Sequence, residues 1–295
     1  MTLAPLLASL APTGLADLAF PRPLLGAFRR KSISFCTGVT EETTLVYWFQ
    51  SRSFTIDLRL PDGPATPVPL RQGWVGDTVW NADQALLSWE VARSYQPRNQ
   101  WPEPARFHFI GNSVLEFAPS GAYVEDWRQL ATSGPYLGLR LIEMTDDATG
   151  ERHVMDGGLV LAGEHMAFAC SRHPRLDEAL CGVKSLEEAL AERIASEAEI
   201  ESYEVSVAIG GDRVTASTQP HRLHQPIVTG AFALERDGSL TLPRVIGGAR
   251  SLLRFVVDHY VPEFTFDTCS TSTPEALDWI ERERDHLLRH ASACC

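Results

Sequence analysis

Residues 46–61, VYWFQSRSFTIDLRLP, constrain the fold more than any other stretch of the chain. Phe54, Ile56, Leu58 and Leu60 alternate with Thr55, Asp57 and Arg59, the period of two that gives a strand one apolar and one polar face. Ahead of them Tyr47 and Phe49 alternate with Trp48 and Gln50, and Ser51-Arg52-Ser53 supplies a turn. The stretch therefore reads as an antiparallel hairpin, two strands of a β-barrel meeting at a polar turn.

Residues 158–174, GLVLAGEHMAFACSRHP, repeat the shape, with Leu159 and Leu161 before a Gly163-Glu164-His165 turn and Met166, Phe168 and Cys170 after it. A second echo sets residues 106–124 beside residues 203–220, each a pair of strands about a glycine turn, Gly111-Asn112 in one and Gly210-Gly211-Asp212 in the other. The echoes come in the same order, as a duplicated all-β unit would leave them; chance likeness between two β-rich halves is the competing reading. A repeat of this length means a pair of domains and not a solenoid.

Length and composition fit that organisation. The 295 residues suffice for one large domain or two smaller ones, and 44% hydrophobic with 22% charged residues is ordinary for a soluble globular chain. A formal net charge of -12 sets the chain against nucleic acid and anionic membranes. No apolar run approaches the roughly 18 residues of a membrane span. The apolar start lacks a basic opening and is broken by Pro5 and Pro12, so it reads as an arm packed on the body, with the cytoplasm as default location. The six cysteines show no metal-finger spacing, and no phosphate-binding loop, dinucleotide fingerprint, serine elbow or zinc-protease motif is present, so no metal or other cofactor is expected.

The patterning divides the chain into an arm over 1–28, a first unit over 29–146, a second over 147–268, and a C-terminal helix and tail over 269–295. The strand at 136–143, YLGLRLIE, ends the first unit, and TDDATG at 145–150 is the linker. The proline-rich stretch at 61–69 is a loop, expected at a barrel rim where lids are found. Residues 185–201 read as a single helix, with Ser185 and Glu188 as a capping box and Leu186, Leu190, Ile194 and Ala198 at helical spacing. Residues 273–291 read as an amphipathic helix capped by Thr273.

Six of the seven tryptophans fall in the first half: Trp48, Trp74, Trp80, Trp89, Trp101 and Trp127. They make either a large aromatic core or an aromatic-lined cavity. Tyr123, Glu125 and Trp127 share one face of a strand; turned inward, Glu125 would be a desolvated acid with a raised pKa, a candidate general acid or base, and turned outward it would be a solvated one. His108, inside RFHFI, is the histidine most readily placed in a cavity and the second candidate proton carrier. Asp57 and Arg59 are an exposed pair worth little if their face meets water, whereas Arg59 is an anion anchor if it faces the interior. Arg140, among apolar residues, is a second anchor able to pair with Glu125 or Asp57. Trp48, Trp89 and Trp127 would be the walls, with Gln50 and Tyr123 completing the substrate-binding set. His221 and His224 are read as a polar loop, and Cys170 and His173 face opposite sides of a strand.

The paired strand-rich units, each opening on a hairpin of the VYWFQSRSFTIDLRLP or GLVLAGEHMAFACSRHP type and carrying a later glycine-turn hairpin, resemble the tandem lipocalin-like proteins of the calycin superfamily. The resemblance covers roughly residues 28–265, though the short Gly-x-Trp signature of lipocalins near the first strand is absent. It implies a mainly β fold of two antiparallel barrels in tandem with a few peripheral α-helices, able to enclose a small apolar or aromatic ligand. Two functions are carried forward: a cofactor-independent lyase or isomerase working in the first barrel, and a non-catalytic carrier or interaction scaffold. A homodimer is the assembly entertained.

Overall fold

The computed structural model describes residues 1–98, 103–246, 248–267 and 274–290. The chain is mainly β, in two antiparallel sheets. The first contains β1 (Gly26–Phe35), β2 (Thr40–Glu41), β3 (Leu45–Gln50), β4 (Phe54–Leu60), β5 (Gln72–Asn81), β6 (Leu86–Ser94), β7 (Arg106–Ile110), β8 (Ser113–Phe117) and β9 (Tyr123–Gln129). The second contains β10 (Ser133–Asp146), β11 (Arg152–Ala162), β12 (His165–Cys170), β13 (Glu204–Ala208), β14 (Ala216–Ser217), β15 (Ala233–Leu234), β16 (Leu240–Ile246) and β17 (Ala249–Thr265).

Both sheets have the same strand order. The first runs β6-β5-β4-β3-β1-β9-β8-β7 with β2 on the side of β1, and the second runs β14-β13-β12-β11-β10-β17-β16-β15. Setting β2 aside, each is a meander whose first strand pairs with its last. The first sheet curls, and an isolated bridge links β6 to the residue before β7, where Leu87 and Ala105 exchange both backbone hydrogen bonds, at 2.9 and 2.6 Å. The hairpin echo at 46–61 and 158–174 falls on β3–β4 and β11–β12, which hold equivalent places. The second echo does not: residues 106–124 supply β7 and β8, whereas residues 203–220 supply β13 and β14, which correspond to β5 and β6.

The crossing between sheets lies at 130–132. Residues 136–143, expected to end the first unit, belong to β10 and pair with β11 and β17. TDDATG is accordingly the β10–β11 turn and not a linker. A strand pattern fixes which residues alternate, and only long-range pairing fixes which sheet they join.

The sheets pack against each other, which explains the continuous burial of their central strands. Phe54, Ile56, Leu58 and Leu60 share a core with Val160, Ala167, Ala169, Val205 and Val207 of the second sheet. The opposite face of the second sheet forms its own core, including Leu137, Leu139, Leu159, Leu161 and Phe168, onto which α1 (Leu3–Ser9) places Leu6. The contact between sheets is close: a Cβ on Gly158 would lie 2.8 Å from the Phe54 ring, so no side chain fits there without displacing it. Polar groups fasten the same junction, with Asp258 accepting from the hydroxyls of Ser51 and Ser53, both at 2.6 Å, and Tyr136 donating to the carbonyl of Gln50 at 2.6 Å.

Three short helices, α2 (Pro174–Leu180), α3 (Leu186–Ala191) and α4 (Glu197–Glu201), fill one end of the junction. The helix expected over 185–201 breaks, because Arg193 takes a left-handed conformation and Ser196 with Glu199 forms a complete capping box that starts a new helix. The proline-rich loop at 61–69 is held by these helices, with Thr66 and Val68 buried, and is not a free rim. His165, placed by the sequence in the Gly163-Glu164-His165 turn, is buried, facing the carbonyl of Leu130 and the amide of Gly210. The last helix, α5, spans Pro274–His290. Thr273, Trp101, Cys269, Cys294, Cys295 and the side chains of Leu277, Ile280, Leu287 and Leu288 lie outside the described residues, and Trp279 of α5 is half exposed. Among the described residues no helix is long and apolar enough to cross a membrane.

Candidate functional site

The polar face of β4 does not meet water. Asp57 and Arg59 point into the concave side of the first sheet, while the apolar face of the strand meets the second sheet. Alternation was read correctly, but both faces are buried. On the concave side the pleat brings Trp48 opposite Asp57, Asp57 opposite Trp74, and Glu116 of β8 opposite Glu125 of β9. Together with Tyr123, Trp127, Trp89 and Val91 these side chains enclose a cavity of about 40 Å³, enough for a few water molecules.

Like charges directly across a ladder repel, so the glutamate pair is the electrostatic centre of the cavity. Glu125 is the ion-paired member, 2.6 Å from Nη1 of Arg30 and 3.7 Å from Nη1 of Arg59. Arg30 is anchored at its other end to Glu41, at 2.8 Å. Glu116 is held well above the ordinary carboxylate range, first by burial and then by the charge of Glu125, against an opposing pull from Arg59. Its Oε2 accepts the indole N–H of Trp127 at 3.0 Å. Burial also raises Asp57, although Arg59 grips it through Nε at 2.9 Å and Nη2 at 3.3 Å. Burial and then the two glutamates raise the Tyr123 phenol.

The tryptophans surround this group as a cage. Trp48 meets Trp89 and Trp127 edge to face at 6.1 and 5.6 Å, and Trp74 lies 5.9 Å from Trp89. Thr55 accepts the Trp89 indole N–H at 3.0 Å, and Gln50 donates to Thr78 at 2.7 Å, so the polar edges of the cage are satisfied.

The expected residues divide. Glu125, Arg59, Trp48, Trp89, Tyr123 and Trp127 converge on the cavity, and Gln50 supports Trp48 from behind, its Oε1 3.3 Å from the indole nitrogen. His108 is not among them. It is exposed on the outer face of β7, its ring 5.3 Å from Phe117, because Phe107 and Phe109 take the inward positions. Arg140 is also elsewhere, at the junction of the sheets, 3.0 Å from Asp77 and 2.6 Å from Asp156. It pairs with neither Glu125 nor Asp57, since β10 belongs to the other sheet. Arg59 is already engaged by Asp57, which conflicts with its use as an anchor for a free anion. The lining also takes Glu116, Glu103, Trp74 and Val91, which were not among the expected site residues, and Arg30 holds Glu125. The signal for Glu116 was its place in SVLEF two residues after Val114, the inward position of a hairpin arm.

Comparison with family models, with curated proteins and with solved structures finds no match.

Proposed function

We propose that the first sheet closes as a lipocalin-like barrel along the Leu87–Ala105 seam and that its cavity protonates a small, neutral, unsaturated molecule, as a cofactor-independent isomerase or lyase. The observation that carries this reading is Glu116, a buried carboxyl opposite Glu125, which is paired with Arg30, and under a cage of indoles. Burying several charged groups costs more than filling the same space with apolar side chains, and a carboxyl whose pKa is raised well above its ordinary value holds its proton to higher pH, as general acid catalysis requires.

Glu116 donates its proton to a double bond of the ligand, leaving a carboxylate held by the Trp127 N–H. The cation that develops on the ligand faces the indole rings of Trp48, Trp89 and Trp127, which stabilise positive charge through their π faces. Loss of a proton from the neighbouring carbon back to Glu116 completes an isomerisation; in a lyase reaction the cation instead breaks a carbon–carbon bond one atom from the charged carbon, and the fragment that takes over the charge returns a proton to Glu116, so that both fragments leave neutral. A six-membered ring needs more room than about 40 Å³; Trp74 and Trp89, half-buried on the β5–β6 hairpin, are the side chains that would turn aside.

The small volume supports a second reading, in which the first unit is filled by its own side chains and serves as a scaffold. One experiment separates the two. The protein is mixed with cyclic alkenes and enol ethers in deuterated water, tryptophan fluorescence is followed, and the ligands are then examined by mass spectrometry. The enzyme reading requires a fluorescence change with deuterium uptake that falls by about 100-fold or more in Glu116→Gln. A fluorescence change without uptake would make the cavity a carrier's, and no response would leave the scaffold.

A further inference from the structure

The seam that Leu87 and Ala105 bridge in the first sheet is open in the second. Among the described residues no ladder joins β14 to β15. A cavity of about 590 Å³ lies there, between β13, the segment after β14 and strand β16, within the 300–1,000 Å³ typical of small-molecule sites.

Its floor is a built cluster. Glu204, 2% exposed, receives Nε of Arg222 at 2.8 Å and a guanidinium nitrogen of Arg244. Arg222 is itself buried and also donates to the carbonyls of Pro226 and Ile227, while Arg244 donates to Thr229 at 2.6 Å. Two guanidinium groups on a single carboxylate leave positive charge unbalanced. The Arg244 and Arg222 charges outweigh burial and hold Glu204 below the ordinary carboxylate range, so protonation does not relieve the excess or increase it near neutral pH. Arg250 at the mouth adds a third guanidinium and pairs with no acid among the described residues; Asp147 is the other carboxylate lining the cavity, and His221 the only histidine. With His221 neutral the lining carries one positive charge in excess, on a chain whose net charge is -12. Pro243, Val245 and Ile246 of β16 give the cavity an aliphatic wall.

We infer that the open seam of the second sheet is a binding site for a small organic monocarboxylate with an aliphatic body. The carboxylate takes the planar donors of Arg244 and Arg250, a geometry guanidinium groups favour, and the hydrocarbon lies along β16. The lone cysteine of the lining, Cys170, is not a nucleophile here: burial pushes its thiol up to about 12.

Calorimetric titration of the full chain with octanoate, octan-1-ol and inorganic phosphate tests the site. Octanoate binds one to one, octan-1-ol and phosphate at least about tenfold more weakly, since a charge-assisted hydrogen bond and a buried chain are each worth that much. Arg250→Glu weakens octanoate by about tenfold or more, while Arg254→Glu, in a separate surface hollow, does not. Arg250 is exposed, so its variant folds even if Arg244→Gln does not. Tryptophan fluorescence stays unchanged on octanoate binding, because the cage belongs to the first sheet. Equal affinities for octanoate and octan-1-ol, phosphate binding as tightly as octanoate, indifference to Arg250→Glu, quenching of the tryptophans, or no binding at all would each overturn the assignment.

Discussion

At the scale of the residue, Glu116 makes a measurable statement about stability. Its folded pKa lies well above the ordinary value, so the folded state holds a proton that the unfolded chain releases above about pH 4.3. Stability therefore falls as pH rises through the window from that value up to the folded pKa, by as much as about 1.4 kcal/mol per pH unit for a full proton. Glu116→Gln keeps the acceptor for Trp127 and removes the titration. The variant's melting temperature, relative to the parent, is expected to be near zero shift at pH 4, to rise as the pH is raised above that, and to level off once the folded pKa is passed. A constant difference across that range would mean that Glu116 is ionised in the folded protein, and the acid role would go with it. The same residue shows what sequence conceals. Glu125 was legible because Tyr123 and Trp127 flank it at a spacing of two. For Glu116 the spacing from Val114 signals only the inward face; its raised pKa depends on a partner directly across the ladder, and register is not written in either strand.

At the scale of the element, the alternation in β4 told correctly which residues share a face and could not tell what each face meets. Asp57 and Arg59 read either as a solvated pair or as an inward-facing one, and they are buried because the sheet curls over them. His108 failed for the converse reason: its strand sits at the end of the sheet, where the inward positions went to Phe107 and Phe109. The helices fared similarly, since the spacing of Leu186, Leu190 and Ile194 was read through a second Ser-x-x-Glu that starts a new helix. That second box carries a prediction. Ser196→Ala removes the acceptor for the Glu199 amide and should cost about 1 kcal/mol in denaturant titration, whereas Ser202→Ala, after the helix, should cost much less. Equal effects would mean that α4 is held by its packing through Ile200 alone.

At the scale of the whole molecule, the decisive feature is that the sheets share a core. Phe54 against Gly158 is its tightest point, and Ser51 and Ser53 on Asp258 close its polar edge. Two sheets of the same topology joined by a short crossing could melt separately only if each kept its own core, but β4, β11, β12 and β13 are buried on both faces only while the sheets are together. Separation would expose apolar faces worth about 25 cal/mol per Å², which makes either sheet alone a poor state. Unfolding in denaturant is expected to be a single transition in which tryptophan fluorescence, dominated by the first sheet, coincides with far-ultraviolet dichroism from both. Gly158→Val forces a side chain into the Phe54 ring and should lower the midpoint for both signals together, by about 1–3 kcal/mol. If instead the variant splits the transition, with the dichroism change spread over two steps and fluorescence following only one, the sheets are independent folding units and the common core is an interface between finished domains.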